Sequence, residues 1–241
     1  MTLDEILASL FPDGGVRVDD DGLISGEGAV PGVGAAHVVG VARGTALGVE
    51  AAARLARMTL DILGGARKGP ILVLIDSDSQ RMSRRDELLG LSEYLAHLAK
   101  CLNLAERSGV RTVGILYGHT AAGAFIATAL ATGVLVALPG AHPEVMDLPS
   151  MARVTKLPLD LLNEKAKSTP VFAPGVDNLA RTGAVLEIWD PARPLGAQLA
   201  ALLAKPADGA DARDALGAAR GGRPKARDVA ARVERLANAD G

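Results

Sequence analysis

Eight residues near the middle of the chain carry its sharpest chemical signal: Tyr117-Gly118-His119-Thr120-Ala121-Ala122-Gly123-Ala124. They follow an apolar run at 111–116 and open a small-residue stretch at 121–131, where a buried strand should turn into a helix. The first turn of a helix presents unpaired N–H groups and a partial positive charge. Gly118 and Gly123 would leave those amides uncovered. Such a corner can hold a carboxylate, a phosphate or a developing enolate oxygen. Tight helix–sheet packing by small residues accounts for the same glycines equally well. Tyr117, Thr120 and Ala122 would line the corner. His119 can donate a hydrogen bond or transfer a proton, or simply orient the loop.

A second turn of this kind is Arg43-Gly44-Thr45-Ala46-Leu47-Gly48. Gly44 and Gly48 could expose further donors, although ordinary turn formation explains them too. The segment lacks the spacing and the Gly-Lys-Ser/Thr ending of a phosphate-binding P-loop. The glycines of 26–34 precede a strand instead of joining a strand to a helix, so they predict a loop or an interface edge, not a dinucleotide site. Asp76 ends an apolar run and can point into the same crevice, with Asp78 beside it. Both read as supporting polar residues or as solvated acids. Arg81, Arg84 and Arg85 form a local basic patch between Asp78 and Asp86, suited to an acidic carrier or partner, or to solvent. His37, His97 and His142 are scattered and make no metal signature. Cys101, beside Leu98 and Leu102, reads as a buried small hydrophobe, and Trp189 as a packing residue. No local Ser-His-Asp arrangement surrounds Ser77, Ser79 or Ser83.

Positioning these turns requires a regular scaffold. Apolar runs at 36–41, 71–75, 111–116 and 134–138 alternate with helical patterns at 49–63, 86–107 and 121–131. Leu91, Leu95, Leu98 and Leu102 form a stripe on the longest helix, and Glu50/Arg54 and Arg57/Asp61 are spaced four apart on the first. Short apolar strands between helices predict an α/β fold with a mainly parallel sheet, helices on both faces and right-handed crossovers. A helix over 1–12 and a hairpin over 16–25 precede it, the hairpin turning at Asp19-Asp20-Asp21-Gly22. After Pro139 the pattern loosens into short helices within 142–152, 157–167 and 177–182, a late strand at 184–189 and a helix at 195–203. Residues 206–224 read as a mobile or loosely packed linker and 226–239 as a terminal helix. The chain thus divides into a domain over 1–205 and a flexible segment with a C-terminal helix over 206–241.

Composition narrows the partners. The 26 basic and 28 acidic side chains give a net charge of -2, with no broad basic field for nucleic acid. Aromatics make up 2% of residues, so no stacking platform for single strands is evident and aliphatic residues must fill the core. One cysteine excludes an internal disulfide framework and a four-cysteine zinc site, and no metal is expected. The apolar stretches are too short for a bilayer core of roughly 30 Å. Asp4 and Glu5 interrupt the opening residues where a secretory signal would be apolar. The cytoplasm is the expected location, with no membrane partner.

Several markers then combine: Gly26-Glu27-Gly28-Ala29-Val30-Pro31-Gly32, the turn at 43–48, the strand and loop at 71–80, the motif at 117–124 and Ala137-Leu138-Pro139. In this order and spacing they resemble the crotonase-like carboxyltransferase superfamily (the ClpP/crotonase fold). Within it, the chain is similar to the gamma-subunit family of biotin-independent malonate decarboxylases. The resemblance implies a spiral of repeated β-β-α units and association with a homologous beta subunit, within a complex that can be a higher oligomer. It implies decarboxylation of a malonyl thioester on a small acyl-carrier subunit, with an alpha subunit transferring the carrier between acetyl and malonyl states. It implies no cofactor bound directly by this chain. The carrier would bear a phosphopantetheine-type group derived from dephospho-coenzyme A. Carried over residue by residue, Gly118, His119 and Gly123 would be catalytic. Gly44, Gly48, Tyr117, Thr120 and Ala122 would bind substrate or oxyanion, with Asp76 and Asp78 in support. Related carboxyltransferases often place Thr-Pro-Gly after the strand acid and consecutive glycines after the tyrosine. Here Ser77-Asp78-Ser79 and His119-Thr120 stand in those places.

Two other readings share these residues. One is a catalytically silent subunit that shapes the beta-subunit site. The other is a stand-alone crotonase-like acyl-CoA hydratase or hydrolase, for which no well-placed pair of glutamates is evident.

Overall fold

Ile71, Val73 and Ile75 face one hydrophobic core, whereas Leu72 and Leu74 of the same strand face a second. A strand apolar at every position requires cover on both sides, and helices supply it. The computed structural model describes residues 1–66, 69–205 and 211–239. α1 (Leu3–Leu10) opens with a capping box in which Thr2 and Glu5 satisfy each other's backbone N–H. β1 (Val16–Val18) and β2 (Leu23–Val30) form the expected hairpin, and β3 (Gly34–Val41) extends it antiparallel. α2 (Val49–Gly64) crosses to β4 (Ile71–Ile75), and α3 (Arg84–Leu88) with α4 (Leu91–Arg107) crosses to β5 (Thr112–Leu116). β6 (His119–Ala121), α5 (Ala122–Thr128), β7 (Val134–Ala137), β8 (His142–Glu144), α6 (Leu148–Thr155) and α7 (Leu159–Ala166) follow. α8 (Val176–Arg181), β9 (Glu187–Ile188), α9 (Leu195–Leu203), α10 (Arg213–Ala219) and α11 (Pro224–Ala239) complete the described chain.

The main sheet runs β1-β2-β3-β4-β5-β7-β9 and is parallel from β3 onward. Residues of α2, α4 and α5 pack into the core on one face, and residues of α1 and α9 into the core on the other. Between each parallel strand from β3 to β7 and its helix lies a second short extended segment. β6 and β8 pair with each other, setting His119 opposite His142 and Ala121 opposite Glu144. After β3 and β4 the equivalent places are Leu47 and Gln80, which bridge in parallel. Ser77 N donates to His119 O at 2.8 Å, joining the two pairs. The repeating unit is therefore β-β-α, and its second strands line up along one edge as a spiral.

Five sequence expectations change. Residues 26–30 are not a loop but part of β2. A Cβ on Gly26 would lie 2.2 Å from Gly15 O, and one on Gly28 2.8 Å from Gly14 O, so these glycines admit the backbone of the neighbouring segment. The helix expected over 86–107 is two helices, because Gly90 takes a left-handed φ of +83° between them. The turn expected over 117–120 contains β6, and the start of the expected helix over 142–152 is β8. Of the linker expected over 206–224, residues 206–210 lie outside the described residues. Residues 213–219 are helical and docked: Arg213 Nη1 donates to Leu130 O at 2.9 Å and Arg220 Nη1 to Val185 O at 2.8 Å. Cys101 is buried in α4, and burial pushes its thiol up from its ordinary value. Among the described residues, no helix is long and apolar enough to cross a membrane.

Candidate functional site

Parallel neighbours end together, so β3, β4 and β5 deliver Arg43, Asp76 and Tyr117 to one edge of the sheet, where α/β folds place their ligands. A cavity of about 280 Å³ opens there, lined by Ala42, Arg43, Asp76, Tyr117 and Gly118, with Leu3 of α1 at its side. Tyr117 Oη donates to Val41 O at 3.4 Å. Burial, helped by the negative charge of Asp76, pushes the Tyr117 phenol far above its usual range, so it stays a protonated donor. Asp76 Oδ1 accepts from His119 N at 3.2 Å. Gly118 must be glycine here, since a Cβ would lie 2.1 Å from that same oxygen.

Next to the cavity, β6 and β8 build a polar cluster. His119 Nε2 lies 3.3 Å from Glu144 Oε1, and Nδ1 lies 3.8 Å from Asp78 Oδ1. The His119 ring stacks on His142 with centroids 6.2 Å apart. The Glu144 side chain is 12% exposed and that of Asp78 65%, so the imidazole has one sheltered and one open acidic neighbour. Such an arrangement can orient an imidazole and hold or pass a proton. Glu144 is not singled out by the sequence and His142 reads there only as a scattered histidine, because their segment looks helical. The signal that finds them is the repeat itself: His142-Pro143-Glu144 follows β7 as His119-Thr120-Ala121 follows β5.

The expectation that the amides of the 117–124 turn are uncovered is corrected at four positions, the first being Tyr117 N, which donates to Ile75 O at 3.2 Å. Gly118 N donates to Ile75 O at 3.3 Å, His119 N to Asp76, and Gly123 N to Gln80 Oε1 at 2.8 Å. The cause is the extra strand: α5 does not start bare from β5 but from β6, already tied to the neighbouring segment. Thr120 is buried, with Oγ1 2.8 Å from Ser77 Oγ, and faces inward. Ala122 turns the chain into α5 with a φ of +50°. Gly123 packs against Leu95, whose Cδ1 would be 3.0 Å from an added Cβ.

The 43–48 turn is filled in another way. Asp86, 1% exposed, accepts from Val49 N at 2.9 Å and so caps α2 from inside the chain. The Ser83 hydroxyl and then the Val49 amide hold the Asp86 carboxyl below its ordinary range. Gly48 is pressed against this cap: a Cβ would lie 2.9 Å from Asp86 Oδ1 and from Arg81 Cζ. Gly44 has a φ of +59° and open space where a Cβ would go. Gly48, Thr120 and Gly123 thus do not line the cavity, whereas Tyr117, Gly118 and Asp76 do. Among the described residues, no group of three His, Cys, Asp or Glu side chains is placed to hold a metal.

Residues 42–237 match the family model for the malonate decarboxylase gamma subunit. The chain belongs to that family. Its fold is similar to a chain of the Pseudomonas malonate decarboxylase MdcD-MdcE hetero-dimer, with a TM-score of 0.75, 25% identity and 98% of both chains covered. A Pseudomonas malonate decarboxylase hetero-tetramer in complex with coenzyme A contains a chain of the same likeness, at TM-score 0.75 and 24% identity over 98% of both chains. Transcarboxylase 12S shares the fold at a TM-score of 0.68 and 16% identity, with 87% of this chain and 44% of that one covered. The Malonomonas rubra malonyl-S-ACP:biotin-protein carboxyltransferase MADD is 29% identical over 127 residues. That match takes in 52% of this chain, which spans 44% of MADD. This chain thus shares with transcarboxylase 12S the crotonase-like fold that the sequence markers imply.

Proposed function

We propose that this chain acts as the gamma subunit of a malonate decarboxylase: with a homologous beta subunit it converts malonyl-S-carrier into acetyl-S-carrier and CO2. The observation that carries this reading is the family match over 42–237, which takes in the 43–48 turn, the 117–124 motif and the β8 cluster. When the C–C bond to the carboxylate breaks, its electron pair moves onto the thioester carbonyl as an enolate, and a proton added at carbon gives acetyl. Fixed N–H donors stabilise the enolate and a positioned acid delivers the proton.

His119, between Asp78 and Glu144, is the proton source in this reading. Tyr117, Gly118 and Arg43 form the wall, and Gly44 follows Arg43 in the chain. Asp76 holds the His119 backbone in place. Because the Gly118, His119 and Gly123 amides are used within the chain, the N–H donors for the enolate come chiefly from the beta subunit. The carrier's phosphopantetheine-type arm, derived from dephospho-coenzyme A, supplies the thioester. A cavity of about 280 Å³ has room for a short acyl end but not for a coenzyme-sized molecule, which leaves the arm itself to the partners. The beta subunit would dock beside β8, where α6 and α7 bury only Leu162 while Val154, Leu157, Leu159 and Leu161 are exposed. An alpha subunit would exchange malonyl for acetyl on the carrier.

The test is CO2 release from malonyl-carrier with each subunit alone and with both together. Activity only in the mixture is the expected result, and full activity from this chain alone rejects the shared site. A silent shaping role is the second reading, favoured by the internal use of those three amides. Equal activity from the beta subunit without this chain would select it.

A further inference from the structure

The segment between β4 and α4 touches both strand–helix corners. Its backbone joins the first, where Leu47 N donates to Ser79 O at 2.8 Å and Arg81 N donates to Leu47 O at 2.9 Å. The residue between those two contacts, Gln80, reaches the second corner with its side chain, accepting from Gly123 N at 2.8 Å. Asp86 serves only the first corner, through Val49 N, and the Ser77–Thr120 hydroxyl pair only the second. Gln80, held between Ser79 and Arg81 at the first corner, is therefore the residue whose side chain ties that stretch of backbone to the second.

Space around the contact is tight. A Cβ on Gly123 would lie 3.0 Å from Leu95 Cδ1 and 3.2 Å from Gln80 Oε1, so the start of α5 is closely packed against both side chains. At the other end of β6 from this contact stands His119, whose backbone O accepts from Ser77 N of the same segment. A shift of the segment would move His119 and the α5 start relative to Gly44 and Leu47.

We infer that Gln80 is a positioning residue that sets the distance between the two corners; for the reaction this rests on the functional reading above. It touches no reacting atom in this role. Its amide oxygen fixes Gly123, and its place in the bridge transmits that fix to Leu47. A misplacement of about 1 Å at a reacting group can cost roughly a hundredfold in rate. Loss of the Gln80 contact should therefore appear in turnover more than in substrate affinity.

The experiment uses the complex of this chain with its beta subunit, prepared with wild type, Gln80→Ala and Gln80→Glu. Gln80→Ala is expected to assemble normally and to lower kcat per assembled complex roughly tenfold to a hundredfold, with KM changed by less than about twofold. Amide exchange should accelerate in both 119–126 and 43–49. Gln80→Glu keeps an acceptor for Gly123 N and should recover most of the turnover and the protection. Wild-type kcat per complex in Gln80→Ala, with only the yield or melting temperature reduced, would show a merely structural residue and overturn the proposal. So would faster exchange confined to 119–126. A wild-type complex that releases no CO2 defeats the functional reading instead, and the exchange pattern then still decides whether Gln80 links the corners.

Discussion

The two glycine turns look alike in sequence and are finished in opposite ways. At the 43–48 turn a buried carboxylate, Asp86, sits on the first amide of α2, with Arg81 packed against the Gly48 backbone. At the 117–124 turn the start of α5 is met by the neutral amide of Gln80, and the acid, Asp76, stands on the strand side facing the cavity. The first corner has its electrostatic demand met by a permanent internal anion. The second keeps its charged and titratable groups, Asp76, His119, Asp78 and Glu144, beside the cavity at the sheet edge, with Asp78 open to solvent and Glu144 sheltered. Glycine at a strand–helix turn therefore does not by itself mark a ligand site. The side chain that arrives to cap the helix decides whether the turn is closed or open.

Removing the internal anion should have the largest effect. Asp86→Ala leaves Val49 N without its buried acceptor and should lower the unfolding free energy by about 2–4 kcal/mol in urea titration. The sign of the pH effect follows from the lowered carboxyl: its stabilisation is present above the unfolded pKa and is lost as pH falls through the folded one. Wild type should therefore weaken below about pH 4, and Asp86→Asn should show a flatter profile there. At the open corner, His119→Gln should leave stability nearly unchanged and reduce CO2 release by the assembled complex about a hundredfold, measured as kcat at saturating malonyl-carrier. Leu161→Asp, on the exposed apolar face of α7, should weaken binding to the beta subunit about tenfold in calorimetric titration while this chain alone melts as before. Gly44→Ala should cost only about 1 kcal/mol, since its left-handed φ is strained for alanine but no atom blocks the methyl group.

The buried parallel strands and the amphipathic helices were readable where their own residues supply the pattern. Ile71–Ile75 and Leu195–Leu203 form over the residues expected, because continuous apolar runs and helical apolar spacing leave little choice. Gly90 was hidden by the leucine stripe of α4, which begins only after it, while Leu88 and Leu89 before it remain exposed. β6 and β8 were invisible because three residues carry no usable period, and pairing at a distance stabilises them. The same limit applies to the site. His119, Asp76 and Asp78 are legible as chemistry-bearing residues in turns. Whether the amides of the 117–124 turn are free depends on partners such as Gln80, 43 positions from Gly123, which only the fold brings together. Glu144 needed the register of β8, not its composition.

The lone thiol of α4 has a practical consequence. Cys101 is 3% exposed and its thiol is pushed up by burial, so it offers almost no reactive thiolate to a maleimide at neutral pH. A cysteine introduced at Val229 on the exposed α11 would then be the single site a dye can label, with the native cysteine left in place. Energy transfer from that dye to a labelled beta subunit would report assembly in solution without any turnover assay.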